Sequence, residues 1–256
     1  MMVDSIAIDG LSAGVSGFCT TRANGVSVEP YASLNLGAHV GDDLDCVKRN
    51  RAILTQHLPS EPIWLDQVHG CAVLDASVLD ANTDRRADAL VTTVPGQVLG
   101  ILTADCMAVV LADDQARVLG LAHAGWRGLA GGVLQSTIAA MQDKTSQVGQ
   151  SGEMGPWRAW ISPCIGPDAF EVGSEVREAF LSIDRRLIDC FTAGIAPHKW
   201  HCNMPAIATR ILLALGASSV QWCGHCTVLD EQQRFFSYRR EGRTGRMATV
   251  AWLKPD

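Results

Sequence analysis

Residues 87–128 read ADALVTTVPGQVLGILTADCMAVVLADDQARVLGLAHAGWRG and hold the strongest structural signal in the chain. Four short apolar runs rich in Val, Leu and Ile follow one another here, separated by turn residues; the runs are Ala87–Thr93, Val98–Thr103, Met107–Ala112 and Arg117–Ala122. Connections this short are typical of antiparallel hairpins, because a parallel crossover needs a dozen or more residues. The stretch therefore predicts strands in consecutive hairpins.

Helical periodicity and further strand-like runs lie on both sides of this stretch. Apolar residues at three- and four-residue spacing predict helices at Leu44–Leu58, Leu129–Gln142, Ser174–Leu181 and Met204–Leu215. Further strands are predicted at Ile63–His69, Arg158–Ser162, Val220–Trp222 and Thr249–Trp252, and the polar run 143–156 is predicted to be a loop. Because helices and strands are interspersed, we expect an α+β fold with mixed sheets in a single domain over residues 1–256.

The composition indicates a globular protein that binds neither nucleic acid nor membrane. Of 256 residues, 47% are hydrophobic and 19% charged, which excludes a disordered chain. The net charge is −6 and no Lys/Arg-rich run occurs, so a nucleic acid or an anionic membrane is not an expected partner. No apolar run approaches the roughly 20 residues of a membrane helix, and the first residues lack the features of a signal peptide. We expect a soluble, cytoplasmic protein that is a monomer or a weak homodimer.

The nine cysteines are an odd number scattered along the chain, which favours reduced thiols over a disulfide framework. Residues 222–226 read WCGHC, as in disulfide isomerases, but that chemistry needs a thiol at a helix N-terminus. Here the strand-like run 234–236 follows closely, and too few residues remain for a thioredoxin-type fold. We interpret Cys223 and Cys226 as structural thiols, and the sequence leaves the roles of Cys164 and Cys202 open.

Three segments place polar, metal-competent residues at the ends of predicted strands. They are DQVHG at 66–70, TADCM at 103–107 and AHAGWRG at 122–128. Neighbouring strands bring their ends together, so we expect His69, Cys106 and His123 to meet. Two imidazoles and one thiolate form a ligand set suited to Zn²⁺, with a fourth position open for water or substrate. The same residues fit a cysteine nucleophile with a histidine base, and the sequence alone does not decide between the two.

The GWRG segment at 125–128 lies between a predicted strand and a predicted helix. Its backbone N–H groups and Arg127 would converge at a helix N-terminus, a geometry that favours an anion such as phosphate. A glycine-rich turn with a surface arginine accounts for the same residues equally well.

Five motifs in order resemble the YfiH family, a bacterial "polyphenol oxidoreductase laccase"-type group that is also treated as purine nucleoside phosphorylases. They are QVHG at 67–70, ADC at 104–106, AHAGWRG at 122–128, SPCIGP with EVG within 162–173, and FFSYRREGRTGRMA at 235–248. SLNLG at 33–37 and VGDD at 40–43 are also similar to that family. The resemblance covers roughly residues 12–253. The sequence departs from the family pattern at Cys202, where an aliphatic residue followed by Asp is usual.

The resemblance implies a four-layer α/β/β/α sandwich with mixed sheets, similar to the Cys–His deamidase fold of bacterial toxins. It implies a zinc site at His69, Cys106 and His123, where Cu²⁺ could substitute, and we add Asp105 to this catalytic group. It implies phosphorolysis of adenosine, inosine, guanosine and methylthioadenosine, together with adenosine deamination. Candidates for binding the nucleoside and phosphate are Arg127, Gln67, Asn35, Arg239, Arg240 and Arg246.

Two other functions compete with this one. A copper polyphenol oxidase needs a His₂Cys centre and a three-copper cluster held by His-x-His pairs, and the seven histidines contain no such pair. A non-catalytic or Cys-hydrolase role in the fidelity of cell-wall precursors is the other alternative. If zinc is structural, we expect a fourth protein ligand such as Cys164 or His39, because structural zinc sites are closed.

Replacing Cys223 and Cys226 together by serine should leave nucleoside turnover largely intact, because neither thiol is expected to react. The measurement is turnover by the double variant, with its folding checked by circular dichroism. A loss of about a hundredfold in a fully folded double variant would contradict the structural interpretation of this motif.

Overall fold

The structure is a computed structural model and describes residues 3–147 and 154–255. Its strands are β1 (Ser5–Ala7), β2 (Val15–Thr20), β3 (Val73–Asp75), β4 (Ala89–Thr92), β5 (Leu99–Thr103), β6 (Met107–Asp113), β7 (Leu119–Ala124), β8 (Trp157–Ile161), β9 (Glu171–Gly173), β10 (Phe191–Ala193), β11 (Lys199–Cys202), β12 (Ser219–Trp222) and β13 (Met247–Leu253). Its α-helices are α1 (Leu44–Thr55), α2 (Trp126–Gly131), α3 (Val133–Gln147), α4 (Ser174–Ile183), α5 (Met204–Ala214) and α6 (Tyr238–Glu241). The predicted α+β class is confirmed.

The strands form two larger sheets and one small one. The six-stranded sheet has the order β12-β8-β6-β7-β4-β3 and is mixed, because the β12–β8 and β3–β4 pairs are parallel. The four-stranded sheet, β1-β2-β13-β5, is antiparallel, and so is the small sheet β10-β11-β9. Every residue of β6 and β7 is buried, which explains why both read as continuous apolar runs.

Three apolar clusters set the order of the layers. Between the two larger sheets, Leu99 of β5 and Val110 of β6 belong to one cluster. On the other face of the six-stranded sheet, Val109 shares a cluster with Leu134 and with other residues of α2 to α5. On the other face of the four-stranded sheet, Leu54 of α1 packs in a third cluster. The order across the molecule is therefore helix, sheet, sheet, helices.

The prediction of consecutive hairpins is wrong at two of the three connections. Only β6 and β7 pair directly, whereas β4 pairs with β7 and β5 pairs with β13 in the other sheet. The chain crosses between sheets before β5 and again after it. The link from Thr103 to Met107 can reach about 13 Å, enough to span the roughly 10 Å between stacked sheets. A short link between two apolar strands can therefore either form a hairpin or cross from one sheet to the other.

One predicted helix and one predicted loop differ from the structure. Helix 129–142 is instead two helices, because Gly132 adopts a left-handed φ of 99° between α2 and α3. Helix α3 continues to Gln147, and residues 148–153 of the predicted loop lie outside the described residues. Within the described residues, no helix is both long and apolar enough to cross a bilayer.

The strand predicted at 63–69 is also absent, and so is the strand-like conformation at 234–236. In the first of these segments only Ile63 forms a bridge, with Leu99. The N–H groups of Val68, His69 and Gly70 bond the carboxylate of Asp88 instead of a neighbouring strand. A side chain has thus taken the place of the backbone ladder that the apolar pattern predicts.

Asn50 of α1 fastens the irregular N-terminal segment to the helix. Its side chain is fully buried, and Oδ1 accepts a hydrogen bond from Val26 N at 2.8 Å. Nδ2 donates to Ser27 Oγ, Ser33 O and Asn35 O at 2.9, 3.1 and 2.9 Å. Both ends of the amide are therefore paired inside the protein.

Replacing Asn50 by alanine should lower the free energy of unfolding by about 2–4 kcal/mol, because buried backbone groups lose their partners. Lys48→Ala on the same helix is the matched control, since Lys48 and its ion-pair partner Asp45 are exposed. It should change the free energy of unfolding by less than about 0.5 kcal/mol. Urea unfolding measures both, and equal effects would contradict this role of Asn50.

Candidate active site

His69, Cys106 and His123 lie together where the two larger sheets meet. Cys106 belongs to the link from β5 to β6, and His123 is near the end of β7. One potential ligand atom of each side chain lies within 4.8 Å of the other two. The two imidazole ring centroids are also 4.8 Å apart. The structure thus brings together the three side chains that the sequence predicts to meet.

One buried carboxylate, that of Asp88, fixes both histidines. Its Oδ1 lies 2.8 Å from His123 Nδ1 and accepts the backbone N–H of His69 at 2.9 Å. Its Oδ2 accepts the N–H groups of Val68 and Gly70 at 3.2 and 2.6 Å. His69 has a φ of 60°, a left-handed conformation that non-glycine residues adopt less often. The three converging N–H groups hold this turn in place.

Gly125 lets the side chains of the cluster approach one another. A Cβ atom at position 125 would lie 3.0 Å from Cys106 Sγ and 3.0 Å from His69 Cδ2, closer than Cβ atoms usually approach their neighbours. Gly125 also immediately precedes α2, so the turn into that helix passes directly beside the cluster. A side chain at position 125 of the AHAGWRG motif would therefore crowd Cys106 and His69.

The charges of the cluster favour a thiolate beside an imidazolium. Burial alone would raise the pKa of the Cys106 thiol, but hydrogen bonds with His123 and His69 lower it to about 6. Burial likewise opposes the charged form of His123, but hydrogen bonds with Asp88 and Cys106 raise its pKa to about 9. A thiolate is the form of cysteine that binds metals and attacks electrophiles. The cluster suits either chemistry, because a metal ion would take the place of the proton on His123.

The donor set fits one divalent metal ion. Because Asp88 engages Nδ1 of His123, Nε2 is left to face a metal, and a carboxylate behind a ligating histidine is usual at such sites. Within residues 3–147 and 154–255, no other His, Cys, Asp or Glu joins this group, so neither Cys164 nor His39 is a fourth ligand. Three protein ligands leave a tetrahedral ion one open position. The same His₂Cys set suits copper as well as zinc.

The cluster borders a cleft of about 450 Å³. One part of its wall is apolar or aromatic and consists of Met107, Trp126, Ile165, Phe170, Met204 and Tyr238. Another part is cationic and consists of Arg127, Arg239 and Arg246. A larger groove of about 640 Å³ beside α5 contains none of the three candidate ligands. The smaller cleft is therefore the candidate active site.

The three arginines of the cleft differ in their surroundings. Arg127 is exposed in the first turn of α2, with its guanidinium 4.4 Å from the centroid of the Trp126 ring. Arg239 is also exposed and lies 5.3 Å from the centroid of the Phe170 ring. Arg246 is half-buried. The cleft thus offers cations both at its surface and in its interior.

Asp105 lines the cleft, but its carboxylate is bonded to the protein. Oδ1 accepts the hydroxyl of Thr227 at 2.6 Å, and Oδ2 accepts the backbone N–H of Arg239 at 2.8 Å. The backbone carbonyl of Asp105 accepts the N–H of Ile165 at 2.9 Å. This buried residue therefore joins three segments of the cleft wall.

Three predicted binding residues do not line the cleft. Gln67 exchanges two hydrogen bonds with the backbone of Leu102, at 2.8 and 2.9 Å. The side chain of Asn35 accepts the backbone N–H of Arg246 at 2.9 Å. Arg240 donates to backbone carbonyls, including that of Phe235 at 2.8 Å. Their polar groups hold the scaffold around the site.

Sequence reasoning missed Asp88 and the apolar wall of the cleft. An acidic residue inside the apolar run 87–93 was an available signal for Asp88, because a buried carboxylate needs partners. Phe170 and Tyr238 gave no comparable signal, since single aromatic residues in loops and helix ends have many roles.

The WCGHC segment does not have the geometry of a redox site. No helix begins there in the described residues; Trp222 ends β12, and Cys226 forms an isolated bridge with Cys164. Burial raises the pKa of Cys223 to about 12. Cys226 Sγ accepts the backbone N–H of Gly166 at 3.2 Å. These contacts agree with a structural interpretation of both thiols.

A family model and individual relatives both match this chain over most of its length. The model of the multi-copper polyphenol oxidoreductase laccase family matches residues 16–254. Purine nucleoside phosphorylase YfiH of Shigella flexneri is 41% identical over 247 residues, covering 95% of this chain and 96% of that protein. A purine nucleoside phosphorylase of Xylella fastidiosa is 44% identical over 252 residues, covering 94% and 93%. 

The crystal structure of Neisseria meningitidis protein NMB0706 superposes with a TM-score of 0.88 at 40% identity, covering 98% of this chain and all of that one. Matches to a family model, to whole relatives and to a solved fold thus extend over nearly the entire sequence. The chain belongs to the multi-copper polyphenol oxidoreductase laccase family, which is the YfiH family that its motifs resemble.

Proposed function

We propose that this chain is a zinc-dependent purine nucleoside phosphorylase with adenosine deaminase as a second activity. The observation that carries the proposal is a metal-competent His–Cys–His group beside a cleft with three arginines. Two relatives at 41% and 44% identity bear the name purine nucleoside phosphorylase, which supports the same reaction. The substrates that we propose are adenosine, inosine, guanosine and methylthioadenosine, with phosphate as the second reactant.

Phosphorolysis sets two requirements for the cleft. A phosphate oxygen forms a bond to ribose C1′ while the C1′–N9 bond breaks, and its electron pair leaves with the purine. The site must therefore hold an anion beside the sugar and a planar aromatic base beyond it. Arg127, Arg239 and Arg246 suit the phosphate, and Phe170 and Met204 suit the purine.

We assign the metal to His69, Cys106 and His123. A bound zinc ion supplies electrostatic stabilisation of charge that develops in the reaction. Asp88 orients His123 through Nδ1 and fixes the backbone of His69. The phosphate is held by the arginine forks, each of which can donate two parallel hydrogen bonds.

The remaining candidates act through other residues. Asp105 positions the segment that carries Arg239, since its carboxylate bonds the Arg239 N–H. Asn35, Gln67 and Arg240 position neighbouring backbone and do not touch the substrate in this proposal. We therefore assign these four to the support of the cleft.

Other functions would use the same cluster. A copper polyphenol oxidase is the second candidate, because the His₂Cys donors suit copper and the family description names laccases. The described residues provide one metal-competent group, whereas a multi-copper enzyme needs several. A cysteine hydrolase would use Cys106 as the nucleophile with His123 as its base, and a role in the fidelity of cell-wall precursors is the remaining alternative.

Protein purified without added metal should contain about one zinc per chain and should convert inosine and phosphate to hypoxanthine and ribose 1-phosphate. Cys106→Ala should lose the metal and at least about a hundredfold of the turnover, because one of three ligands is gone. Cys71→Ala is the matched control, since Cys71 packs near α2 without joining the ligand group. Metal analysis and chromatography of the products measure these effects.

Three outcomes would contradict the proposal. A purified protein that contains copper, oxidises phenols and shows no phosphorolysis would favour the laccase. Hydrolysis of inosine by the metal-free protein in the absence of phosphate would favour the cysteine hydrolase. Full turnover by Cys106→Ala would show that the His69, Cys106 and His123 cluster takes no part in the reaction.

Replacing Arg127 by lysine should keep the fold and the metal but weaken phosphorolysis by roughly 10- to 100-fold, because lysine lacks the bidentate fork. Deamination of adenosine consumes no phosphate and should be reduced less. The measurement compares both reactions in one variant with verified zinc content. Arg49→Lys, an exposed change on α1, is the control. An equal loss of both activities would mean that Arg127 orients the nucleoside or the metal ligands instead.

A further inference from the structure

Arg246 is the least exposed of the three arginines that line the cleft. It is half-buried, whereas Arg127 and Arg239 are exposed. Cys106 and Asp105 line the same cleft, and their negative charges favour the charged form of Arg246. A cation in this position faces less competition from water, so its attraction for an anion is stronger than that of a surface arginine.

The guanidinium of Arg246 is only partly used by the protein. Nη1 donates to the backbone carbonyls of Thr244 and Gly245 at 3.1 and 2.9 Å. In the part of the chain that the structure describes, these are the hydrogen bonds that the guanidinium makes. Nε and Nη2 therefore remain for a ligand, and together they form the edge of the fork that binds two oxygens of a phosphate.

The segment Asn35–Gly37 encloses Arg246 on its backbone and on the start of its side chain. Asn35 Oδ1 accepts the Arg246 N–H at 2.9 Å, and Leu36 N donates to the Arg246 carbonyl at 3.2 Å. A Cβ atom at position 37 would lie 2.8 Å from Arg246 Cγ and 3.2 Å from its Cβ. The absence of a side chain at Gly37 is thus what allows the observed path of the Arg246 side chain.

This segment is itself held rigidly. Asn35 is fully buried, and its carbonyl accepts a hydrogen bond from the buried Asn50 of α1 at 2.9 Å. Its Nδ2 donates to Asp42 Oδ2 at 2.9 Å. The Asn35–Gly37 segment therefore cannot move aside without breaking buried hydrogen bonds, and Arg246 would have to move instead.

We propose that Asn35–Gly37 is a positioning clamp that aims the free edge of Arg246 at inorganic phosphate beside the metal ligands. Asn35 fixes the backbone of Arg246, and Gly37 leaves room for the observed path of its side chain into the cleft. The clamp rests on the proposed function, since it assigns phosphate to that site. It accounts for the glycine at position 37 and for the buried asparagine two residues earlier.

The test is a double-mutant cycle between positions 37 and 246 in the zinc-loaded protein, with inorganic phosphate binding measured by calorimetry. Gly37→Ala should raise the Kd of phosphate about 10-fold, or about 1.4 kcal/mol, because the new methyl group displaces Arg246. Arg246→Ala should raise it at least as much. In the double variant, Gly37→Ala should not raise the Kd of phosphate beyond the value for Arg246→Ala alone.

Gly155→Ala is the matched control, because a Cβ there meets its nearest neighbour, Arg117 Nη2, at an ordinary 3.5 Å. It should leave the Kd unchanged. If Gly37→Ala lowers the melting temperature, Arg246→Ala should restore most of that loss in the double variant, since it removes Cγ, the nearer of the two Arg246 atoms that the new methyl group meets.

Additive losses of phosphate affinity would show that Gly37 acts on the fold and not through Arg246, and would overturn the clamp. An unchanged Kd in either single variant would also overturn it. Turnover of inosine by the same proteins separates the clamp from the reaction. If the cycle is coupled but the unmodified protein shows no phosphorolysis, the clamp stands and the proposed function fails. If the unmodified protein is active and the cycle is additive, only the clamp fails.

Discussion

The carboxylate of Asp88 is the point on which the geometry of the site depends. It accepts three successive backbone N–H groups of residues 68–70 and also contacts Nδ1 of His123. A buried carboxylate without such partners would be costly, so the turn and the imidazole stabilise it as much as it fixes them. Through this one group, the segment before β3 and the strand β7 present their imidazoles to the same point.

The layered core explains why the cluster forms at this place. The strands β6 and β7 are apolar on both faces because sheet covers one face and helices cover the other. The polar residues of these two strands are consequently at or near the strand ends, where Asp113 ends β6 and His123 precedes the last residue of β7. The link from β5 to β6 crosses from one sheet to the other, and it carries Asp105 and Cys106 to the place where β7 delivers His123.

The arginines of the cleft contrast with the net charge of −6 of the chain. Local charge decides which ligands a cleft attracts, so an acidic protein can still bind an anion. Their backbones are held by different means: Arg239 by the carboxylate of Asp105, and Arg246 by the side chain of Asn35. Precise placement of such groups matters because the strength of a bidentate contact falls quickly with misalignment.

The sequence by itself determined the α+β class, most helices and strands, and the identity of the three clustered side chains, because these follow from local periodicity and from residues at strand ends. Tertiary structure alone decided that β4 and β5 lie in different sheets, since a strand buried on both faces carries no record of its neighbours. It also decided the partners of Asp88. Asn35, Gln67 and Arg240, which the sequence predicted to bind substrate, instead hold the backbone around the cleft. These placements depend on hydrogen bonds between residues far apart in the chain. No local sequence pattern shows which buried polar groups will meet.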